Sequence, residues 1–346
     1  MARRIAEAGF PVTLWARRPA SLEPFADLGV KVASSPAELA AVSDLVCVCV
    51  VSDADVEEVL TRPDGALAGL GSGGVVAVHS TVHPDTCRRL AVLAGAQGGA
   101  LVDAPVSGGG PAAAAGRLLV MAGGDPAVVE HCRPVFAAYG DPVVYLGPVG
   151  SGQVTKLLNN LLFTAHLATA SSVLELGRSL EVDAGRLAEV IGHGSGASFA
   201  LARIADAGGT LDRIGAYAGP LLQKDVRLVA ELAGAAGASP GAVLAAADAA
   251  LEVMGHTRLG AAGISPVTDG VDLHSALVLV DAVNDPVGPA PRGVVAVEGL
   301  FKRLADAVRV RGQRPVDRLH GRGSDAERQV LVQVAPGLPG EDHGVW

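Results

Sequence analysis

Short continuous apolar runs alternate with amphipathic stretches through the first 150 residues of this chain. Pro11 to Trp15, Asp44 to Val51, Gly74 to His79, Ala100 to Ala104, Leu118 to Ala122 and Val143 to Leu146 are runs of the first kind. Strands that are apolar on both faces belong to parallel sheets covered on both sides. Between them, Ala2 to Ala8, Pro36 to Ala41, Ala54 to Leu60 and Pro84 to Ala94 read as helices. Such alternation predicts a doubly wound α/β domain over residues 1–150.

The pattern changes after Gly150. From Gly152 to Leu180 apolar residues recur at helical spacing without a proline, which predicts one helix longer than the globular norm. Further helices are expected at Ala184 to Ile191, Ala200 to Ala207, Pro220 to Ala235 and Pro240 to Met254, giving an all-helical domain over 151–256. The long helix should span both domains, and its apolar surface points to a homodimer or homotetramer. Beyond His256, glycine, proline and arginine are scattered, and only Val295 to Val310 keeps helical periodicity. Residues 257–346 are expected to form a poorly ordered tail, with the last 25 disordered.

Composition narrows the function. A net charge of −9 and an aromatic share of 3% argue against a nucleic-acid partner, which needs clustered cations and stacking surfaces. No continuous apolar run reaches the roughly 18 residues of a membrane span, and Met1-Ala2-Arg3-Arg4-Ile5 lacks the apolar core of a secretory leader. A cytoplasmic location is the expectation. Cys47, Cys49, Cys87 and Cys132 have no metal-ligand spacing and are read as buried thiols.

Two stretches carry candidate chemistry. Asp103-Ala104-Pro105-Val106-Ser107-Gly108-Gly109-Gly110 ends a strand with a hydroxyl and three glycines. In α/β sheets ligands bind outside the carboxyl ends of strands, and glycines let backbone N–H groups approach an anion. Capture of a substrate carboxylate by Ser107, Gly108 and Gly109 and a merely flexible connection are both open here. The second stretch, Gly147 to Asn160, leads a glycine turn into the long helix with Lys156 and Asn160 four apart on one face. Asn159 stands beside them. A lysine among leucines is costly to bury without a purpose, so the flanking Leu157 and Leu158 weigh against a solvated lysine. Gln223-Lys224-Asp225 places another lysine at the head of an apolar helix, for which a surface ion pair is the ordinary explanation.

Together with Ser80-Thr81 and Pro84, these segments stand in the order and at the separations of the β-hydroxyacid dehydrogenases, over roughly residues 1–254. DAPVSGG at 103–109 resembles that family's substrate motif and GSGQVTKLLNN at 150–160 its catalytic motif. QKDVRLVAEL from Gln223 is similar to its KDL helix, and Ser80-Thr81 to its coenzyme segment. The resemblance implies a Rossmann-type sheet and an NAD(P)-dependent oxidation of a small 3-hydroxy acid to its semialdehyde. It makes Lys156 the general acid and base, with Asn160 orienting the substrate and Lys224 closing the pocket near coenzyme and substrate. Val51, Ser80 and Thr81 would line the coenzyme site. After the second strand of such a fold, an acid that would hold NAD ribose is missing; Arg17 and Arg18 stand there instead, which favours NADP over NAD, against the alternative of a solvated loop.

The chain departs from the family at both ends. Relatives open with a strand and a GxGxxG phosphate turn, whereas Met1 here falls inside the helix that follows it. The expectation is a natural protein carrying roughly 15 to 20 further residues that supply this strand and turn. Relatives also end soon after the helix at Pro240 to Met254. Two other readings compete: an imine reductase, which shares the architecture but replaces the lysine, and a truncated, non-catalytic nucleotide-binding relic.

Overall fold

The computed structural model describes residues 1–258 and the backbone of two further strands, 276–282 and 328–331. Helix α1 (Ala2–Glu7) leads into β1 (Thr13–Ala16), a 3-10 helix (Pro19–Leu28) and a two-residue β2 (Lys31–Val32). Then come α2 (Pro36–Ala41), β3 (Leu45–Val48), α3 (Asp53–Thr61), α4 (Ala66–Gly69), β4 (Val75–Val78), α5 (Pro84–Ala96) and β5 (Ala100–Asp103). The α/β part closes with β6 (Val106–Ser107), α6 (Gly109–Ala114), β7 (Leu118–Ala122), α7 (Pro126–Ala137) and β8 (Gly140–Tyr145). The helical part comprises α8 (Ser151–Ser179), α9 (Ala184–His193), α10 (Phe199–Asp206), α11 (Asp212–Ala235) and α12 (Gly241–Val253), followed by β9 (Ala276–Ala282) and β10 (Arg328–Leu331).

The α/β class expected from the sequence is the one observed. Strands β3, β4 and β5 pair in parallel, with Val46 opposite Val76 and Val78 opposite Asp103. Their side chains alternate between two cores, as a period of two requires. Leu45, Cys47, Val75, Ala77 and Val102 pack on one face with Phe136 and Tyr139. Val46, Val48, Val76, Val78 and Leu101 pack on the other with Leu60 and Leu90. Both faces are therefore covered by helices. All four cysteines are buried and unpaired in disulfides, as expected.

The sheet is not wholly parallel. β1 pairs in parallel with β2 on one side and antiparallel with β9 on the other, Leu14 opposite Val278 and Trp15 opposite Leu277. β9 pairs antiparallel with β10 in turn. A fully buried strand such as β1 must satisfy its backbone on both edges, and β9 occupies the second. β6 and β7 also run antiparallel, whereas β7 and β8 are parallel. Apart from β9 and β10, the expectations for residues 259–346, including the helix at Val295 to Val310 and the disordered end, fall outside the described residues.

In the helical part, α8 is the central element and packs against α10, α11 and α12. By length and composition it could cross a membrane, but Leu157, Leu161, Leu167 and Leu174 join Leu222, Val226 and Leu251 in the core of a helical bundle. Helix α11 begins earlier than the sequence suggests, at Asp212 rather than Pro220. The proline removes one helical hydrogen bond, yet Ile214, Ala218 and Leu222 on either side of it are buried, and that packing carries the helix through.

Candidate active site

The elements that matter meet where the carboxyl ends of β4 and β5 approach the start of α8. Strand β3 ends at Val48, earlier than its apolar run suggests. Residues Cys49 to Val51 turn toward this crevice, and Val50 N donates to Ser80 Oγ at 2.7 Å. The Ser80 segment is fixed from the other side by Gln153 of α8. Its Nε2 donates to Ser80 O at 2.8 Å, and its Oε1 accepts from Val82 N at 3.0 Å. Gln153 is fully buried, and its amide, to which no role attaches in the sequence, clamps the two parts of the protein together.

Asp103, at the end of β5, clamps the same junction. It is fully buried and accepts from Gly150 N at 2.7 Å through Oδ1 and from Gln153 N at 2.8 Å through Oδ2. These are unpaired N–H groups of the first turn of α8, which an acceptor must satisfy. The approach requires glycine: a Cβ on Gly152 would lie 2.3 Å from Met121 O and 2.9 Å from Asp103 Oδ2. Burial raises the Asp103 carboxyl to about 6 against the pull of those N–H donors.

One turn into α8 stands Lys156, partly buried beside the carboxylate of Asp225. Burial lowers its pKa to about 8; the charge of Asp225 works against this and that of Lys224 with it. Among the described residues its ammonium has no hydrogen-bond partner. Asn160, one turn on, is buried and donates from Nδ2 to Asp225 Oδ2 at 2.6 Å. Lys224 Nζ bonds Asp225 Oδ1 at 2.7 Å and Thr81 O at 2.5 Å. The Lys224–Asp225 pair is thus no surface ion pair: the side chains are only 16% and 5% exposed. The core face of α11 carries them inward because Leu222, Val226 and Val229 around them are buried. Asp225 is the residue the sequence reading missed. Its position next to a lysine in an apolar helix was the available signal.

Other expected residues are placed as follows. Ser107 lies half-buried on β6, paired to β7 through Leu119. Gly108 and Gly109 adopt φ of 125° and 68°, values that need glycine. Asn159 is exposed and turns back to Asn160. Arg17, just beyond β1, is engaged by Asp55 and Glu58 of α3, and Arg18 is exposed beside it. His79 is buried between Ala104 O at 2.6 Å and Tyr139 Oη at 3.0 Å. It is a satisfied core histidine, and burial lowers its pKa to about 4.

The crevice and the lysine-bearing helix define a two-part nucleotide-dependent oxidoreductase, and comparison with known proteins gives it a family. Residues 1–147 match the NAD binding domain of 6-phosphogluconate dehydrogenase, and residues 150–267 match the NAD-binding family of NADP-dependent 3-hydroxyisobutyrate dehydrogenase. The NAD-dependent L-serine dehydrogenase of Pseudomonas aeruginosa is 31% identical over 69% of this chain and 83% of its own length. The mitochondrial 3-hydroxyisobutyrate dehydrogenase of Bos taurus is 29% identical over 67% and 71%. The Mycobacterium tuberculosis 3-hydroxyisobutyrate dehydrogenase structure with L-serine superposes with a TM-score of 0.65 at 26% identity, covering 75% of this chain and 90% of that one. The chain belongs to the β-hydroxyacid dehydrogenase family and is an NAD(P)-dependent oxidoreductase.

Proposed function

We propose that this enzyme reversibly oxidises a small carboxylate bearing a hydroxyl on carbon 3, with Lys156 exchanging the hydroxyl proton. The observation that carries this reading is a half-buried lysine with a pKa of about 8, ringed by Asn160, Lys224 and Asp225. An ordinary lysine, with a pKa near about 10.4, is a poor base at neutral pH. One at about 8 has enough free amine to accept a proton and enough ammonium to return it.

Residues 1–150 hold the coenzyme and residues 151–256 the substrate in this scheme. The crevice fits a dinucleotide in two respects: it lies outside the carboxyl ends of the strands, and its adenosine side carries guanidinium groups at Arg17 and Arg18. Val51, Ser80, Thr81 and Lys224 would line the nicotinamide side. When bound, the nicotinamide provides the hydride acceptor. The rest falls to the chain: Lys156 takes the hydroxyl proton as the carbonyl forms, and in the reverse direction its ammonium stabilises and protonates the alkoxide. Asn160, held by Asp225, orients the hydroxyl. Ser107 with the N–H groups of Gly108 and Gly109 receives the carboxylate. Two lysines against one aspartate leave a net positive charge around Lys156, which suits an anionic substrate.

L-serine and 3-hydroxyisobutyrate, for which two of the relatives are named, share a carboxylate with a hydroxymethyl group on the neighbouring carbon, and that shape supports the substrate class. Exposed Leu158, Leu162, Val173 and Leu176 along α8 support burial against a second copy in a homodimer or homotetramer. A panel of 3-hydroxy acids, each assayed with NAD and NADP, tests the reading. Turnover should require both the carboxylate and the 3-hydroxyl, and equal turnover of simple alcohols would overturn it.

A further inference from the structure

Arg17, the residue placed to select NADP, is already engaged by two carboxylates. Arg17 follows β1 directly, and its Nη1 donates to Asp55 Oδ1 at 3.0 Å and its Nη2 to Glu58 Oε2 at 2.8 Å. Both carboxylates come from the first two turns of α3, three residues apart and so on one face of it. Neither is a loose surface group. Asp55 closes a capping box, its Oδ2 accepting from Ser52 N at 3.0 Å and from Ser52 Oγ at 2.6 Å. Glu58 is drawn by its other oxygen toward Arg62 Nη1 at 3.5 Å. Arg62 is itself held 5.5 Å from the Trp15 ring centroid and bonded to Asp64 at 2.6 Å. The acids that face Arg17 are therefore positioned from behind by the helix cap and by a second arginine.

We infer that Asp55 and Glu58 are specificity-determining residues for the coenzyme, competing with the 2′-phosphate of NADP for the guanidinium of Arg17. A guanidinium binds phosphate through the same paired N–H donors that it offers carboxylates. A 2′-phosphate arriving at Arg17 must displace two carboxylates and then lie beside them, and like charges at that range oppose it. The ribose 2′-hydroxyl of NAD is neutral and meets no such opposition. The clamp thus trims the NADP advantage that two arginines would otherwise confer, and lets one site accept both coenzymes. The pairs are partly exposed, with side-chain exposures of 40%, 23% and 48% for Arg17, Asp55 and Glu58. Exposed pairs are individually weak, so the clamp sets a ratio and does not bar the phosphate.

This inference rests on the coenzyme lying across the carboxyl end of β1, and the test separates the two. Binding of 2′,5′-ADP and of 5′-AMP to the full chain is measured by calorimetry, for the unaltered protein, for Asp55→Asn with Glu58→Gln, and for Arg17→Ala. The doubly neutralised variant should bind 2′,5′-ADP about three- to tenfold more tightly, the sum of two exposed ion pairs, with 5′-AMP affinity within about twofold. Arg17→Ala should lower the affinity for 2′,5′-ADP relative to 5′-AMP. An unchanged or reduced ratio of the two affinities in the neutralised variant overturns the clamp while leaving the crevice in place. Failure of both nucleotides to bind the unaltered chain overturns the crevice, and the clamp with it.

Discussion

Asn160 of α8 gives its amide N–H to the carboxylate of Asp225 on α11 across 2.6 Å. The same carboxylate bonds Lys224, which reaches over to the backbone of Thr81 in the α/β part. One buried acid therefore fixes the amide one turn from Lys156, ties the two parts of the protein together through Lys224, and raises the proton affinity of Lys156.

Lys156→Met should abolish turnover, by about 10²- to 10⁴-fold, the range of general acid–base catalysis, while nucleotide binding persists. It should also stabilise the fold. The lysine titrates at about 8 in the folded chain and near about 10.4 when unfolded, so between those values the unfolded chain holds the extra proton and stability rises with pH. The variant should therefore melt higher than the parent at pH 7, with the gap closing toward pH 10. A variant that melts lower at pH 7 would contradict the burial argument.

Asp225→Asn leaves Lys156 with burial and Lys224 acting on it and nothing of opposite sign. The lysine pKa should fall below about 8, shifting the basic rise of kcat/KM for oxidation to lower pH. Loss of an orienting group should cost about tenfold or more in kcat/KM. A profile that keeps its midpoint would assign Asp225 to packing alone.

Asp103→Asn places an amide N–H against the N–H groups that open α8, at a cost of about 1–3 kcal/mol for a buried group left unsatisfied. The sign of the pH effect is opposite to that of most carboxylates. Asp103 titrates at about 6 folded and about 3.9 unfolded, so the folded chain binds the extra proton and its stability falls as pH rises across that window. The stability gap between parent and variant should narrow from pH 4 to pH 6 in urea titrations; a widening gap would mean that the backbone donors outweigh burial.

His79→Gln tests the opposite slope at the end of the neighbouring strand, where Val78 pairs with Asp103. His79 titrates at about 4 in the fold and near about 6.5 unfolded, so stability is complete above the unfolded value and is lost as pH falls toward 4. Replacing it should flatten that loss in thermal melts between pH 6.5 and 4. Tyr139→Phe, which removes the hydroxyl 3.0 Å from the His79 ring nitrogen, should cost about 1 kcal/mol at neutral pH.

The strands, the long helix α8 and the positions of Lys156 and Asn160 on it were legible because they depend on local periodicity: period two in β3, β4 and β5, helical spacing in α8. The ends of elements were less so. Val51 reads as strand, but β3 stops at Val48, since the backbone of Val50 is claimed by Ser80 in the segment after β4. Pro220 reads as a helix start, but packing on both sides of it extends α11 back to Asp212.

The sequence by itself determined the doubly wound class, the order of the motifs and the amine at position 156, because each is written in neighbouring residues. Only the tertiary structure decided that Asp225 lies under Asn160 and that Asp103 and Gln153 join β4 and β5 to α8. It also decided that Arg17 faces two acids before any phosphate. These pairs lie 65, 50, 73 and 38 residues apart. Contacts of that kind arise from how the two cores pack, and the partner that burial forces on a charged group is not encoded in the residues beside it.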